Sequence, residues 1–256
     1  MIPKIIHYCW LSNDLVPEEF EDYIKGWHEK LPDYEFIKWD FTKFDINKSE
    51  WVREAFQNRK YAFACDYIRL YAVYIYGGIY MDMDIEVIKS FDPLLEKPYM
   101  FAYEGKKNQG IEAGCFGAEK NNDFLKKCLE YYNGRGFIME DGAFDTRPLP
   151  QIMQEIYNEN GYDYQIYNHE HFTAKSFNSG IVNITPNTYA VHHFAGSWKS
   201  DAEKERIRRL QHLSKKYGWF GKNYAEIKSA QEDYGVDGVI ELLKSKFDRN
   251  VLRRKQ

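Results

Sequence analysis

No stretch of this 256-residue chain stays apolar for the ~20 residues that a membrane-spanning helix needs. No secretory leader pattern precedes its first strand-like run. The four cysteines, Cys9, Cys65, Cys115 and Cys128, show no C-x-x-C spacing, and three of them sit in apolar runs. That pattern reads as free thiols in a reducing compartment rather than as a disulfide framework. A cytoplasmic protein is the expectation. A net charge of only −4 gives no electrostatic footprint for nucleic acid. Internal repeats, low-complexity tracts and obvious interdomain linkers are also lacking, so the length fits one large domain, or one domain with a small appendage. What the chain does have is a hydrophobic content of 44%, ample for a core, and an aromatic share of 17% that would suit stacking surfaces for rings or sugars.

The order of elements sets the fold class. "IPKIIHYCW" (2–10) is a β-prone run, a helix is predicted from about Pro17 to Lys30, and "YEFIKWD" (34–40) alternates as a strand. "YAFACDYIRLYAVYIYGG" (61–78) reads as a helix closed by a glycine pair, and "GIYMDMDIEV" as the strand that follows. "YMFAYE", "GCFGAE", "GIVNITP" and "YAVHHF" are further strand candidates, with helices over about 122–132 and in "LPQIMQEIYN". From about Asp201 the chain is helical and charged. Strands alternating with helices predict an α/β domain with a largely parallel sheet over 1–200, and a helical segment over 201–256 packed on it.

Two local anomalies stand out. In "GGIYMDMDIEV" (77–87), Asp82 and Asp84 lie two apart in an apolar run. On a strand they would leave the same face, and two like charges buried there cost several kcal/mol each unless something opposes them. The helix just before is apolar on nearly every face yet carries Asp66 and Arg69, which are i,i+3 neighbours. This pair is either a buried tether for the helix or the lining of a polar pocket. The glycine pair leads from one anomaly into the other.

Carboxylates spaced D-x-D suit a hard divalent cation, Mn²⁺ or Mg²⁺, that neutralises a diphosphate. Three readings compete on spacing alone. The aspartates could cap a turn. They could belong to a haloacid-dehalogenase-like phosphatase, although Glu86 stands where that family wants Thr or Val. Or they could serve a nucleotide-sugar transferase, with a sugar-binding protein lacking turnover as the non-enzymatic variant.

The order "IPKIIHYCW", "ACDYIRLYAVYIYGGIYMDMDIE" and "HHFAGSW" (192–198) resembles the DXD-containing glycosyltransferases of family 32, which include yeast-type mannosyltransferases and bacterial capsule and lipopolysaccharide enzymes. It is similar also to the glucosyltransferase domain of large clostridial toxins. The resemblance implies a GT-A fold, Rossmann-like, as a single domain with a helical C-terminal segment. It also implies a retaining, metal-dependent hexosyltransferase, with a UDP-sugar favoured as donor. The acceptor would be the hydroxyl of a glycan or lipid-linked saccharide, as in capsule, exopolysaccharide or lipopolysaccharide synthesis.

Carried over residue by residue, the resemblance makes Trp10 a stacking platform for the donor base, with Tyr8 beside it. Asp66 and Arg69 grip the donor sugar and diphosphate, and Tyr80 and Asp82 line the same pocket. Asp82 contacts ribose and sugar, or the metal through water, and Asp84 ligates the metal directly, with His193 as the third metal ligand through its H-x-x-G spacing to Gly196. Trp198 caps the diphosphate. On a strand only one of His192 and His193 can face the site. Among the acceptor-side segments, "EAGCFGAEKNNDFL" (112–125) offers Glu112 and "MEDGAFDTRPLP" (139–150) offers Asp145. "HEH" (169–171) has the spacing of a zinc pair without a third ligand and reads as solvated loop. The basic run 244–255 reads as a solvated helix end, or as a patch that would hold the protein peripherally on the inner face of a membrane.

Overall fold

β-Branched and aromatic residues bounded by Pro and polar turns give the first strand, β1 (Ile5–Cys9). Helix α1 (Glu18–Lys30) starts after Pro17 with Glu18, Glu19 and Glu21 in its first turn, where the helix dipole favours acids. Strand β2 (Glu35–Trp39) follows, then α2 (Glu50–Gln57) and α3 (Tyr61–Tyr76). The chain continues through β3 (Gly78–Met81), β4 (Ile85–Val87), β5 (Tyr99–Met100) and β6 (Cys115–Ala118). Helices α4 (Asp123–Glu130) and α5 (Leu149–Glu159) precede β7 (Ala190–His192). The computed structural model describes residues 1–105, 110–176, 180–196, 202–213 and 215–217. The chain divides into two compact units, Met1–Lys175 with Val182–Trp198, and Ser176–Ile181 with Lys199–Gln256. Described residues 202–213 and 215–217 are helical. The basic run 244–255 lies outside the described residues.

In the first unit a five-stranded sheet has the order β2-β1-β3-β6-β5. β1 pairs in parallel with β2 and β3, whereas β6 runs antiparallel to both β3 and β5. The α/β reading therefore holds, while the largely parallel sheet expected from the sequence is a mixed one. A separate ribbon pairs β4 with β7, antiparallel, in register Ile85↔His192. The strand expected over 180–186 is absent, leaving an isolated bridge between Lys175 and Val182. Helix α2 carries no sequence expectation, being short, but Ser49 caps it by accepting from the Val52 amide.

Successive residues of β3 feed opposite cores, as the pleat requires: Ile79 and Met81 pack with β1 Ile6, Trp27 and Leu31, whereas Tyr80 packs with α3 and Phe116. The glycine pair after α3 is required for two reasons. Gly77 takes φ +70 and Gly78 φ +107, and a Cβ at Gly78 would lie 2.6 Å from the Ile5 carbonyl. Only glycine lets the helix turn directly into β3 against β1.

Under this crossing His7 is fully buried. Its Nε2–H donates to the Gly77 carbonyl at 2.8 Å, and its Nδ1 accepts from the Trp39 indole at 3.1 Å. Burial holds the ring neutral, with the pKa pushed down to about 4 against the partly compensating bond to Gly77. An unfolded histidine takes up a proton near pH 6.5 and this one only near pH 4, so the stabilisation is complete above pH 6.5 and is lost as pH falls toward 4. The loss over that window is about 3 kcal/mol. NMR titration should show His7 ring resonances unmoved between pH 7.5 and 5. A midpoint near 6.5 would refute it.

Candidate active site

The two anomalies of the sequence meet in space. Arg69, on α3 and 6% exposed, reaches Asp66 Oδ1 at 3.3 Å and Asp82 Oδ2 at 3.2 Å. It also donates to the Ala113 carbonyl at 2.8 Å, and its guanidinium lies 4.7 Å above the Tyr80 ring. The Tyr80 hydroxyl donates to Asp82 Oδ1 at 2.8 Å. Arg69 thus spends most of its donors on protein, and Tyr80 is buried beneath it. Both orient Asp82, and Tyr80, expected on the donor surface, is 1% exposed. Burial raises the Asp66 carboxyl to about 7 despite the opposing field of Arg69, and raises Asp82 as well.

Asp82 and Asp84 do not share a continuous strand. β3 stops at Met81, the Asp82 amide donates to the Gly114 carbonyl at 2.7 Å, and the Ile85 amide closes a turn onto the Asp82 carbonyl at 3.1 Å. The pair occupies the tight turn between β3 and β4. Asp84, 8% exposed, accepts from the Ala195 amide at 2.7 Å and lies 3.5 Å from His192 Nε2. Burial pushes the Asp84 carboxyl up, but His192 and the Ala195 amide overcome it and bring it to about 2.

His192, rather than His193, faces the aspartates. One ligand atom each from Asp82, Asp84 and His192 lie within 4.8 Å of one another. His193 leaves the opposite side of β7, stacks on Tyr23 at 5.0 Å and donates to Glu86 Oε2 at 2.8 Å. The alternation correctly allows one histidine, and the H-x-x-G spacing points to the wrong one. The His192 ring is held by Phe194, stacked at 4.2 Å, and by Glu112, whose Oε1 accepts from Nδ1–H at 2.9 Å. Burial lowers the affinity of this ring for a proton, but Asp84 and Glu112 raise it well above the ordinary range.

Glu112, expected on the acceptor side, is 1% exposed and turned toward His192. Asp145 accepts from Tyr131 OH, Arg135 and the Arg147 amide, and touches none of the cluster among the described residues. Trp10 is half-buried, edge-on to Phe20, and its indole N–H is tied to the Asp14 carbonyl at 3.0 Å. Tyr8 packs edge-on against Trp27. Gly196 takes φ +61, a backbone that favours glycine. Trp198 lies outside the described residues. His169 and His171 sit on a short 3-10 turn, with His171 stacked between Tyr167 and Tyr189.

The stretch Glu112-Ala113-Gly114 is the element that sequence reading misses. It supplies a side chain to His192, a carbonyl to Arg69 and a carbonyl to Asp82. A Cβ at Gly114 would lie 2.6 Å from His192 Cε1 and 2.8 Å from both Asp82 Oδ2 and Glu112 Oε1. Gly114→Ala should therefore displace these groups and cost about 1–3 kcal/mol in denaturant unfolding. A variant as stable as the parent, with these groups in place in its structure, would show that the site has slack.

Residues 17–101 match the family described as "Glycosyltransferase sugar-binding region containing DXD motif". Among similar proteins, inositol phosphoceramide mannosyltransferase 3 of Schizosaccharomyces pombe is 31% identical over 128 residues, covering 48% of this chain and 35% of that protein. Mannosyl phosphorylinositol ceramide synthase SUR1 of Saccharomyces cerevisiae is 32% identical over 146 residues, covering 54% of this chain and 37% of that protein. The chain thus spans little more than a third of the length of these two relatives. Among solved structures, the PaToxG glycosyltransferase is similar at 19% identity and a TM-score of 0.49, covering 62% of this chain and 70% of that one. The matched stretch, residues 17–101, contains one D-x-D, Asp82-Met83-Asp84, and over that stretch the chain is similar to the DXD-containing sugar-binding region of glycosyltransferases.

Proposed function

We propose that the protein is a metal-dependent, retaining glycosyltransferase of the GT-A type that moves a hexosyl group from a nucleotide diphosphate donor to a glycan or lipid-linked hydroxyl. The observation that carries this reading is the meeting of Asp82, Asp84 and His192 at one point. The groups around it comprise four carboxylates, buried Asp66, Asp84 and Glu112 and partly exposed Asp82, against the buried Arg69 guanidinium and the half-buried His192 imidazole. Negative charge in excess of its partners, in the low dielectric beneath a surface, fits a divalent cation. Two carboxylates with an imidazole suit Mn²⁺ better than Ca²⁺, whose sites favour oxygen throughout. Asp84, Asp82 and His192 would hold the ion, which when bound would neutralise the diphosphate of the departing nucleotide.

The chain's own residues do the rest by positioning. Arg69 and Tyr80 fix both oxygens of Asp82, so the turn presents one arrangement of carboxylates. Asp66, with its carboxyl near 7 and a small exposed surface, can donate or accept a hydrogen bond to a sugar hydroxyl. Trp10 and Tyr8, at the end of β1, would lie under the donor base. Gly196 would let the backbone come close to the diphosphate, which Trp198 would cap. Retention follows, on this reading, from attack of the acceptor oxygen on the face the nucleotide leaves. The names of the relatives favour a mannosyl donor and an inositol-phosphate-bearing lipid acceptor as candidates. The work would be done from the cytoplasmic side.

A panel of UDP- and GDP-sugars should reveal Mn²⁺-dependent hydrolysis of one donor to the free nucleoside diphosphate, abolished by Asp84→Asn with an unchanged melting temperature. Release of inorganic phosphate from a monoester would instead identify the phosphatase, and full turnover by Asp84→Asn would remove the metal reading. Trp10→Ala should raise the donor KM by roughly 5- to 150-fold, because stacking on a base contributes about 1–3 kcal/mol. An unchanged KM with a lower melting temperature would make Trp10 core.

A further inference from the structure

We infer that Glu112 is the positioning residue of this site: by accepting the His192 Nδ1–H it fixes the imidazole so that Nε2 is presented to the cation between Asp82 and Asp84. The inference rests on the metal reading above and extends it to a buried acid that neither the motif nor the matched region contains.

A carboxylate at 1% exposure is costly unless its oxygens are matched. Glu112 Oε1 accepts from the Gly114 amide at 2.7 Å and from His192 at 2.9 Å, while Oε2 has no hydrogen-bond partner among the described residues. Capping the Gly114 amide alone needs only a neutral amide carbonyl, as in Gln. The charge is accounted for by the imidazole. Once Nδ1 carries the hydrogen that Glu112 accepts, Nε2 is left as the ligand atom, at 3.5 Å from Asp84 Oδ1. Metal-binding histidines commonly donate their other ring N–H to a carboxylate, which sets the tautomer and raises the basicity of the ligand nitrogen.

The acid itself is rigidly held. Its amide donates to the Ala102 carbonyl at 2.8 Å, and its neighbours Ala113 and Gly114 are tied by their carbonyls to Arg69 and to the Asp82 amide. One short stretch therefore sets the orientation of a ligand on β7 and of the turn after β3 together.

The test is a binding titration of Mn²⁺ alone, with the free ion followed by electron paramagnetic resonance, on the purified chain and four variants. Asp84→Asn should lose the site, His192→Ala should weaken it at least as much as Glu112→Gln while leaving measurable binding to the two aspartates, and Glu112→Gln should weaken it 10- to 100-fold. In the His192→Ala background Glu112→Gln should change the residual affinity by less than about twofold, since its effect acts through that ring. With Co²⁺ at saturation, Glu112→Gln should keep the visible absorption of the parent, and His192→Ala should not. Parental affinity in Glu112→Gln, alongside loss in Asp84→Asn and weakening in His192→Ala, overturns the inference and leaves the metal site standing. Parental affinity in Asp84→Asn and His192→Ala sinks the metal reading itself. Should the Gln variant not fold, the same cycle with Glu112→Asp decides, and additivity with His192→Ala overturns the inference equally.

Discussion

A guanidinium buried under a group of carboxylates makes this site tenable. Arg69 is the cation that both Asp66 and Asp82 share, and without it the buried Asp66 charge would be uncompensated at a cost of several kcal/mol. Arg69 reaches them from a helix whose other faces are core, lying on the ring of Tyr80, so its position is fixed by packing as well as by charge. The D-x-D turn is thereby coupled to the central helix. A change that loosened α3 would be felt at the aspartates before it was felt in the rest of the sheet.

The site has a second anchor of a different kind. Residues 112–114 contribute mostly backbone: carbonyls, an amide and the open side of a glycine. Backbone groups are nearly independent of side-chain identity, and Gly114 is what lets three charged groups approach each other.

Much of the fold was legible because periodicity and punctuation agree with it. The strands at 5–9 and 35–39, the helix at 61–76 and the glycine pair after it are close to where pattern and turn chemistry put them. The parallel character of the sheet was overestimated because alternation of strands and helices says nothing about β6, which returns antiparallel beside β3. At the site, the charged residues of the apolar helix and the D-x-D turn announced themselves through the cost of burying them. The histidine did not: adjacent residues on a strand differ only in parity, and the ribbon register that sets the parity is a tertiary fact. Glu112 was visible as an acid near a glycine, yet its partner is 80 residues away in sequence and no local pattern encodes that distance.

The ribbon of β4 and β7 bears on how the molecule comes to exist as well as on what it holds. Asp84 takes its amide from Ala195, 111 residues further along the chain. The central strands and the helix between β2 and β3 can associate through much shorter loops, whereas closing this ribbon restricts the chain over more than a hundred residues. The two aspartates share one turn, whereas their histidine comes from the far side of that long loop. Without the closed ribbon the cluster is an incomplete acidic turn. A divalent ion that binds only the finished arrangement would act as a ligand of the native state, drawing the equilibrium toward the closed ribbon by mass action.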